Sequence, residues 1–199
     1  MTSRMILAFF VSAFLSVTTA ASQPPDATQS ELGALRDEVV AAVNAGDVDR
    51  VAASLTPDVV VTLQNAEVAR GRDGVRAYYR KMTKGSEALV ASYQTTLDVE
   101  GTTLLGSGDT AVAFGTSTDR FTLSSGVGLD VASRWTATLV RQDGRWYVAA
   151  FHSSTNMFDN AILQKMKVTA YIAGVFGLVL GLIVGVGIMV AFGTRKRPA

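Results

Sequence analysis

Residues 168–192, VTAYIAGVFGLVLGLIVGVGIMVAF, run for 25 positions without a charge. As a helix rising about 1.5 Å per residue, a run of this length crosses the roughly 30 Å hydrocarbon core of a bilayer while pairing its own backbone groups. A single transmembrane helix is therefore the expected form of this segment, and the chain before it must fold apart from it. Arg195-Lys196-Arg197 follow almost at once. The positive-inside tendency places that cluster in the cytoplasm, as a tail over 193–199, and the larger part of the chain outside it.

The opposite end agrees. Arg4, an apolar run over 5–17 and the small residues Thr18-Thr19-Ala20-Ala21-Ser22 have the layout of a secretory signal peptide over 1–21, cleaved after Ala20 or Ala21. A retained signal anchor is the other reading, but the run is shorter than the ~18 residues that a span needs. Setting aside Arg4, Arg195, Lys196 and Arg197 leaves 14 of the 18 Lys and Arg against 17 Asp and Glu, a net charge of −3 on the exported part. A nucleic-acid partner requires a basic domain or stripe, so that class is set aside. With no cysteine, the exported part relies on an ordinary apolar core rather than disulfides.

After a linker over 22–27, residues 28–157 read as one α+β domain. Thr28 and Glu31 have capping-box spacing, and Leu32, Leu35, Val39 and Val43 recur at helical intervals until Asn44-Ala45-Gly46. Asp47 caps a short second helix whose apolar face, Val48, Val51, Ala52 and Leu55, ends at Pro57. A β-branched strand over 58–63, a short return over 67–71 and a helix over 72–84 follow. That helix carries Arg72, Arg76, Arg80 and Lys84 at steps of four, read either as a solvated face or as a docking stripe for anionic lipid or an acidic partner. Strands are expected over 88–105, 110–123, 127–141 and 145–155, with Asp143-Gly144 as a hairpin turn. Helices packed on one face of a curved antiparallel sheet, plus the C-terminal transmembrane helix, is the fold class this order implies. Residues 158–167 form a stalk.

Asn44-Ala-Gly-Asp-Val-Asp49 between helices, the helix start Gly71-Arg-Asp-Gly74, and Trp135 with Arg141-Gln-Asp-Gly-Arg-Trp146 and Phe151-His152-x-Ser154 give the domain a family resemblance. It resembles the nuclear-transport-factor-2-like superfamily, in particular its SnoaL-like branch, and is similar to the association domain of calcium/calmodulin-dependent kinases. The resemblance implies a cone-like sheet around an apolar pocket, frequent homodimerisation through the sheet, and members ranging from ketosteroid isomerases to non-catalytic assembly modules. Fold alone leaves function open.

Aligned on the isomerases' Asn-Ala-Gly-Asp run, the oxyanion tyrosine falls on Val39, the base on Leu63 and the oxyanion acid near Thr136, none of which has the required chemistry. Leu63, Tyr78, Tyr79, Thr136, Thr138 and Phe151 are the expected pocket lining. His152, the sole histidine, is the one candidate acid-base group, and a metal site or other cofactor is not expected from this composition. Counting the hairpin from Asp143-Gly144 pairs Trp135 with His152, Leu139 with Val148 and Arg141 with Trp146 on one face. Thr136, Thr138, Ala149 and Phe151 then share the other. In the apolar run, Gly174, Gly177, Gly181 and Gly185 mark a helix face suited to close association. Two functions follow: a membrane-anchored domain that binds a small apolar ligand or assembles as a homodimer, or an envelope enzyme of the isomerase, cyclase or hydratase type.

Overall fold

The computed structural model describes residues 26–193. The expected signal peptide over 1–21, residues 22–25 of the expected linker and residues 194–199 of the basic tail lie outside them. Helix α1 (Asp26–Asn44) already runs at Asp26, which puts Thr28 inside the helix rather than at its cap. Glu31 is used elsewhere: its carboxylate accepts from Trp146 Nε1 at 3.0 Å and from Arg141 Nη2 at 3.2 Å, tying α1 to a hairpin more than a hundred residues later.

The turn after α1 needs Gly46 at φ 69°, and the Asn44 side chain there acts like a strand partner. It donates from Nδ2 to the Thr95 carbonyl at 3.0 Å and accepts from the Thr95 N–H at 2.7 Å. Helix α2 (Val48–Ala53) is capped by Asp47, whose carboxylate accepts from the Arg50 N–H at 3.0 Å. It stops two residues earlier than its apolar spacing suggests, because Leu55 opens strand β1 (Leu55–Thr62). Pro57 sits inside that strand where the register with its neighbour is irregular, the setting a residue without an N–H tolerates.

A turn through Ala66 leads to β2 (Val68–Arg70), α3 (Gly71–Thr83) and four long strands: β3 (Val90–Leu105), β4 (Thr110–Leu123), β5 (Gly128–Gln142) and β6 (Arg145–Thr155). The sheet order is β2-β1-β6-β5-β4-β3. It is a mixed sheet rather than the expected all-antiparallel one, since β1 lies parallel to β6 while every other pair is antiparallel.

Curvature comes from small residues and from bulges. Ala111, Ala113, Gly115 and Ala137 are buried on the concave face of the central strands. Strand β3 shifts register between Val99 and Gly101, and a side chain at Gly115 would overlap the Asp98 carbonyl oxygen, so β3 folds over this point. Leu32 and Leu35 of α1 pack into the concavity against Leu55, Val59, Trp135, Leu139, Trp146 and Val148.

Helix α4 (Ala161–Gly193) is 33 residues long, roughly 50 Å, and is apolar and long enough to cross a bilayer. It absorbs most of the predicted stalk: Asn160 Oδ1 accepts from the Leu163 N–H at 2.9 Å, and the helix continues unbroken into the apolar run.

Candidate functional site

One extra residue in β6 decides which side chains enter the cone. Leu139 pairs with Val148 and Arg141 with Trp146, as counted from the turn, but a bulge at Ala149 makes Thr138 pair with Ala150 and Thr136 with His152. Beyond that bulge every β6 side chain changes face relative to a simple hairpin. Trp135 and Ala137 therefore face inward with Phe151, and the two rings stack at 6.2 Å between centroids and 16°. Thr136 and Thr138, expected in the pocket, lie on the outer face of β5, and His152 is exposed on the outer face of β6.

Between α1 and the concave sheet lies a cavity of about 340 Å³. Leu32, Leu35 and Val39 form its helical wall, and Leu97, Trp135, Ala137, Leu139 and Phe151 are among its sheet residues. Its charged neighbours are already paired: Nη1 and Nη2 of Arg134 hold the Glu100 carboxylate, and Arg36 Nη2 lies 2.7 Å from Asp37. Trp135 donates its indole N–H to the Thr116 carbonyl at 2.8 Å, which fixes the ring on the inner face.

Past the Trp135–Phe151 pair the interior turns polar. Asp119, 2% exposed, accepts four hydrogen bonds. Tyr93 OH and Thr95 Oγ1 donate to its Oδ1, each at 2.7 Å, while Gln64 Nε2 at 2.5 Å and Ser117 Oγ at 3.0 Å donate to Oδ2. Gln64 also donates to Ser133 Oγ at 2.7 Å and Ser153 Oγ at 3.3 Å. All four lone-pair positions of the carboxylate are thus occupied, by groups from the β1–β2 turn, β3 and β4. Burial first, and then the Asp119 charge, push the Tyr93 phenol well above its ordinary value, so it stays a donor. Its ring stacks on Phe121 at 4.7 Å.

Sequence reading missed this cluster. The signal was present as period-two continuation: Ser117 and Asp119 follow Ala111, Ala113 and Gly115 on one face of β4, so a buried face runs from alanine into a carboxylate. Its partners outside β4 lie on the β1–β2 turn and β3, and the serines that share Gln64 lie on β5 and β6, which no local pattern connects.

The remaining expected lining residues sit elsewhere. Leu63 lies just past β1 with its N–H bonded to the Glu67 carbonyl at 2.9 Å, Tyr78 is half-buried beside Asn65 and Glu67, and Tyr79 presses its hydroxyl on Gly46. None of the three lines the cavity. Val39, the position matched to the isomerases' tyrosine, does. The basic stripe of α3 is divided: Arg72 donates to the Leu55 carbonyl at 2.6 and 2.9 Å, and Arg76 holds Asp49 and Asp73, leaving Arg80 and Lys84 exposed. Gly174, Gly177, Gly181 and Gly185 meet no other atoms, and the last three form a groove along α4 with Leu178, Leu182 and Met189. Among the described residues no three acidic or histidine side chains converge as a metal would require.

A cone of curved sheet and N-terminal helices closing on an apolar chamber defines this as a domain of the nuclear-transport-factor-2-like class. The family model for the SnoaL-like domain matches residues 37–149, and the chain belongs to that family. Among solved structures, it is similar to a protein from Xanthomonas campestris described as a calcium/calmodulin-dependent protein kinase II association domain, at 28% identity and TM-score 0.56, over 69% of this chain and 94% of that one. A ketosteroid isomerase-like protein from Erwinia carotovora atroseptica superposes at TM-score 0.57 with 20% identity, covering 66% and 98% of the two chains. A protein from Streptomyces avermitilis described as a dehydratase of the NTF2-like family does so at 0.55 with 19% identity, covering 67% and 99%. The latter two likenesses speak for the fold alone. No curated protein sequence matches the chain.

Proposed function

We propose that the chain is a membrane-tethered, non-catalytic domain that holds a small apolar ligand outside the cytoplasm. The cavity of about 340 Å³ between α1 and the sheet carries this reading. Its size falls in the range of small-molecule sites, and its walls are aliphatic and aromatic. The nearby carboxylates argue for binding over proton transfer: Glu100 is held by Arg134, and Asp119 has no lone pair left for a substrate proton. An enzyme of the isomerase, cyclase or hydratase type loses its main candidate in His152, which stands outside the cavity. The orientation rests on the Arg195-Lys196-Arg197 cluster after the apolar helix and on the signal-like N-terminus.

Ala137→Phe fills the chamber from a buried position on its wall. Small-molecule mass spectrometry of the full chain and of this variant, each purified from native membranes, should find an apolar compound retained only by the unaltered protein. Identical small-molecule content in the two preparations defeats the proposal. Assembly is the second reading, favoured by the 28% identity to a protein described as an association domain and by the open glycine groove of α4.

A further inference from the structure

We propose that the end of the domain from which α4 departs is a lipid-contacting surface, resting on the membrane-tether reading above. The three most exposed large apolar side chains of the domain outside α4 gather there: Leu89 is 62% exposed, Met157 72% and Phe158 80%, against 46% or less for every other one, including Val127 beside them at 41%.

Hydrogen bonds show that these separate segments share one end. The Ser124 N–H donates to the Leu89 carbonyl at 3.0 Å, placing the start of β3 against the β4–β5 turn. Within that turn, the Leu123 N–H donates to the Val127 carbonyl at 2.9 Å. Lys165 Nζ then donates to the carbonyl of Gly128, the next residue, at 2.5 Å, so α4 begins beside the same turn. Met157 and Phe158 lie in the link between β6 and α4.

Distance along the helix supplies the reason for lipid contact. From Lys165 to Val168, where the apolar run starts, is three residues or about 4.5 Å of axial rise. The headgroup layer on each side of the hydrocarbon core is roughly 5–8 Å thick. Even with the Lys165 side chain extended, the β4–β5 turn stands in or against that layer, with no room for a second protein between. Lys84, Glu87, Asp159, Lys165 and Lys167, with the Arg120–Asp130 pair at 2.9 Å, are exposed charges of this end, and their signs nearly cancel. Attachment therefore comes from apolar insertion rather than attraction to anionic lipid. The buried Asp119 cluster backs this end of the sheet, and the cavity opens toward the other half of the strands.

The probe is phosphatidylcholine brominated on its acyl chains, compared with the unbrominated lipid, in vesicles carrying the full chain. Leu89→Trp and Val127→Trp each add an indole at the proposed surface, and Ser107→Trp adds one in the β3–β4 turn at the opposite end. The native Trp135 and Trp146 are 5% and 3% exposed and give a constant background. Bromine should remove most of the added emission at positions 89 and 127 and leave that at 107 unchanged. If positions 89 and 127 are quenched no more than 107 while the chain resists alkaline carbonate extraction, the docking surface is wrong and the tether stands. Release of the chain by carbonate overturns both.

Discussion

Replacing Asp119 by alanine tests whether one saturated carboxylate holds the polar half of the cone together. The substitution strips the acceptor from four donors. Gln64 Nε2 keeps Ser133 Oγ at 2.7 Å and Ser153 Oγ at 3.3 Å. Tyr93 OH and Thr95 Oγ1 both point at Oδ1, so they are close enough to pair with each other, which satisfies one of the two. About two buried donors are then left without an acceptor, at roughly 1–3 kcal/mol each, giving a loss of about 4 kcal/mol. Relief from burying a carboxylate without a salt bridge works in the opposite direction, but four charge-assisted bonds offset that cost in the native protein. Against a typical total stability of about 5–15 kcal/mol this is a large fraction.

Urea unfolding of the full chain in detergent micelles reads the loss directly, because both tryptophans of the chain, Trp135 and Trp146, lie in the domain and none in α4. With a slope of about 2 kcal/mol per molar, the midpoint should fall by about 2 M. Asp119→Asn preserves shape and two acceptor positions, and its hydroxyl neighbours can rotate to accept, so it should lie between the two. An Asp119→Ala midpoint within about 0.3 M of the unaltered chain would refute the reasoning, since it would mean that the donors re-pair without loss.

Tyr93 adds a pH dependence of definite sign. Its folded-state pKa is raised, so below the unfolded value of about 10 its contribution is intact, and it is lost as pH climbs above that value because the unfolded chain releases a proton that the folded one keeps. Tyr93→Phe should flatten the alkaline decline by about 1.4 kcal/mol per pH unit, and equal slopes for the two proteins count against it. Gly115→Ala forces a methyl into the backbone of β3, and a destabilisation of about 3 kcal/mol should appear as a clear fall in melting temperature; an unchanged midpoint shows that the bulge at Val99–Gly101 yields freely. If the glycine groove of α4 pairs two copies, crosslinking in membranes should trap a dimer that disappears when Gly177, Gly181 and Gly185 become leucine, and a monomer before and after substitution ends the assembly reading.

Local features of the sequence determined the elements. The 25-residue uncharged run marked a long apolar helix, though α4 begins seven residues before Val168; the Asp47 cap, the Asp143-Gly144 turn and the β-branched runs placed the helices and strands of the domain to within about three residues of their ends. Such signals act between near neighbours, and composition carries them. What entered the cone was decided by tertiary structure. A single extra residue at Ala149 exchanged the faces of β6, brought Phe151 onto Trp135 and put His152 outside. The parallel pairing of β1 with β6 joined segments almost a hundred residues apart, and Asp119 found its four donors on Gln64, Tyr93, Thr95 and Ser117. Periodicity has no memory across a bulge, and a hydrogen bond between distant strands leaves no trace in the spacing of either, so the site became readable only when the sheet had closed.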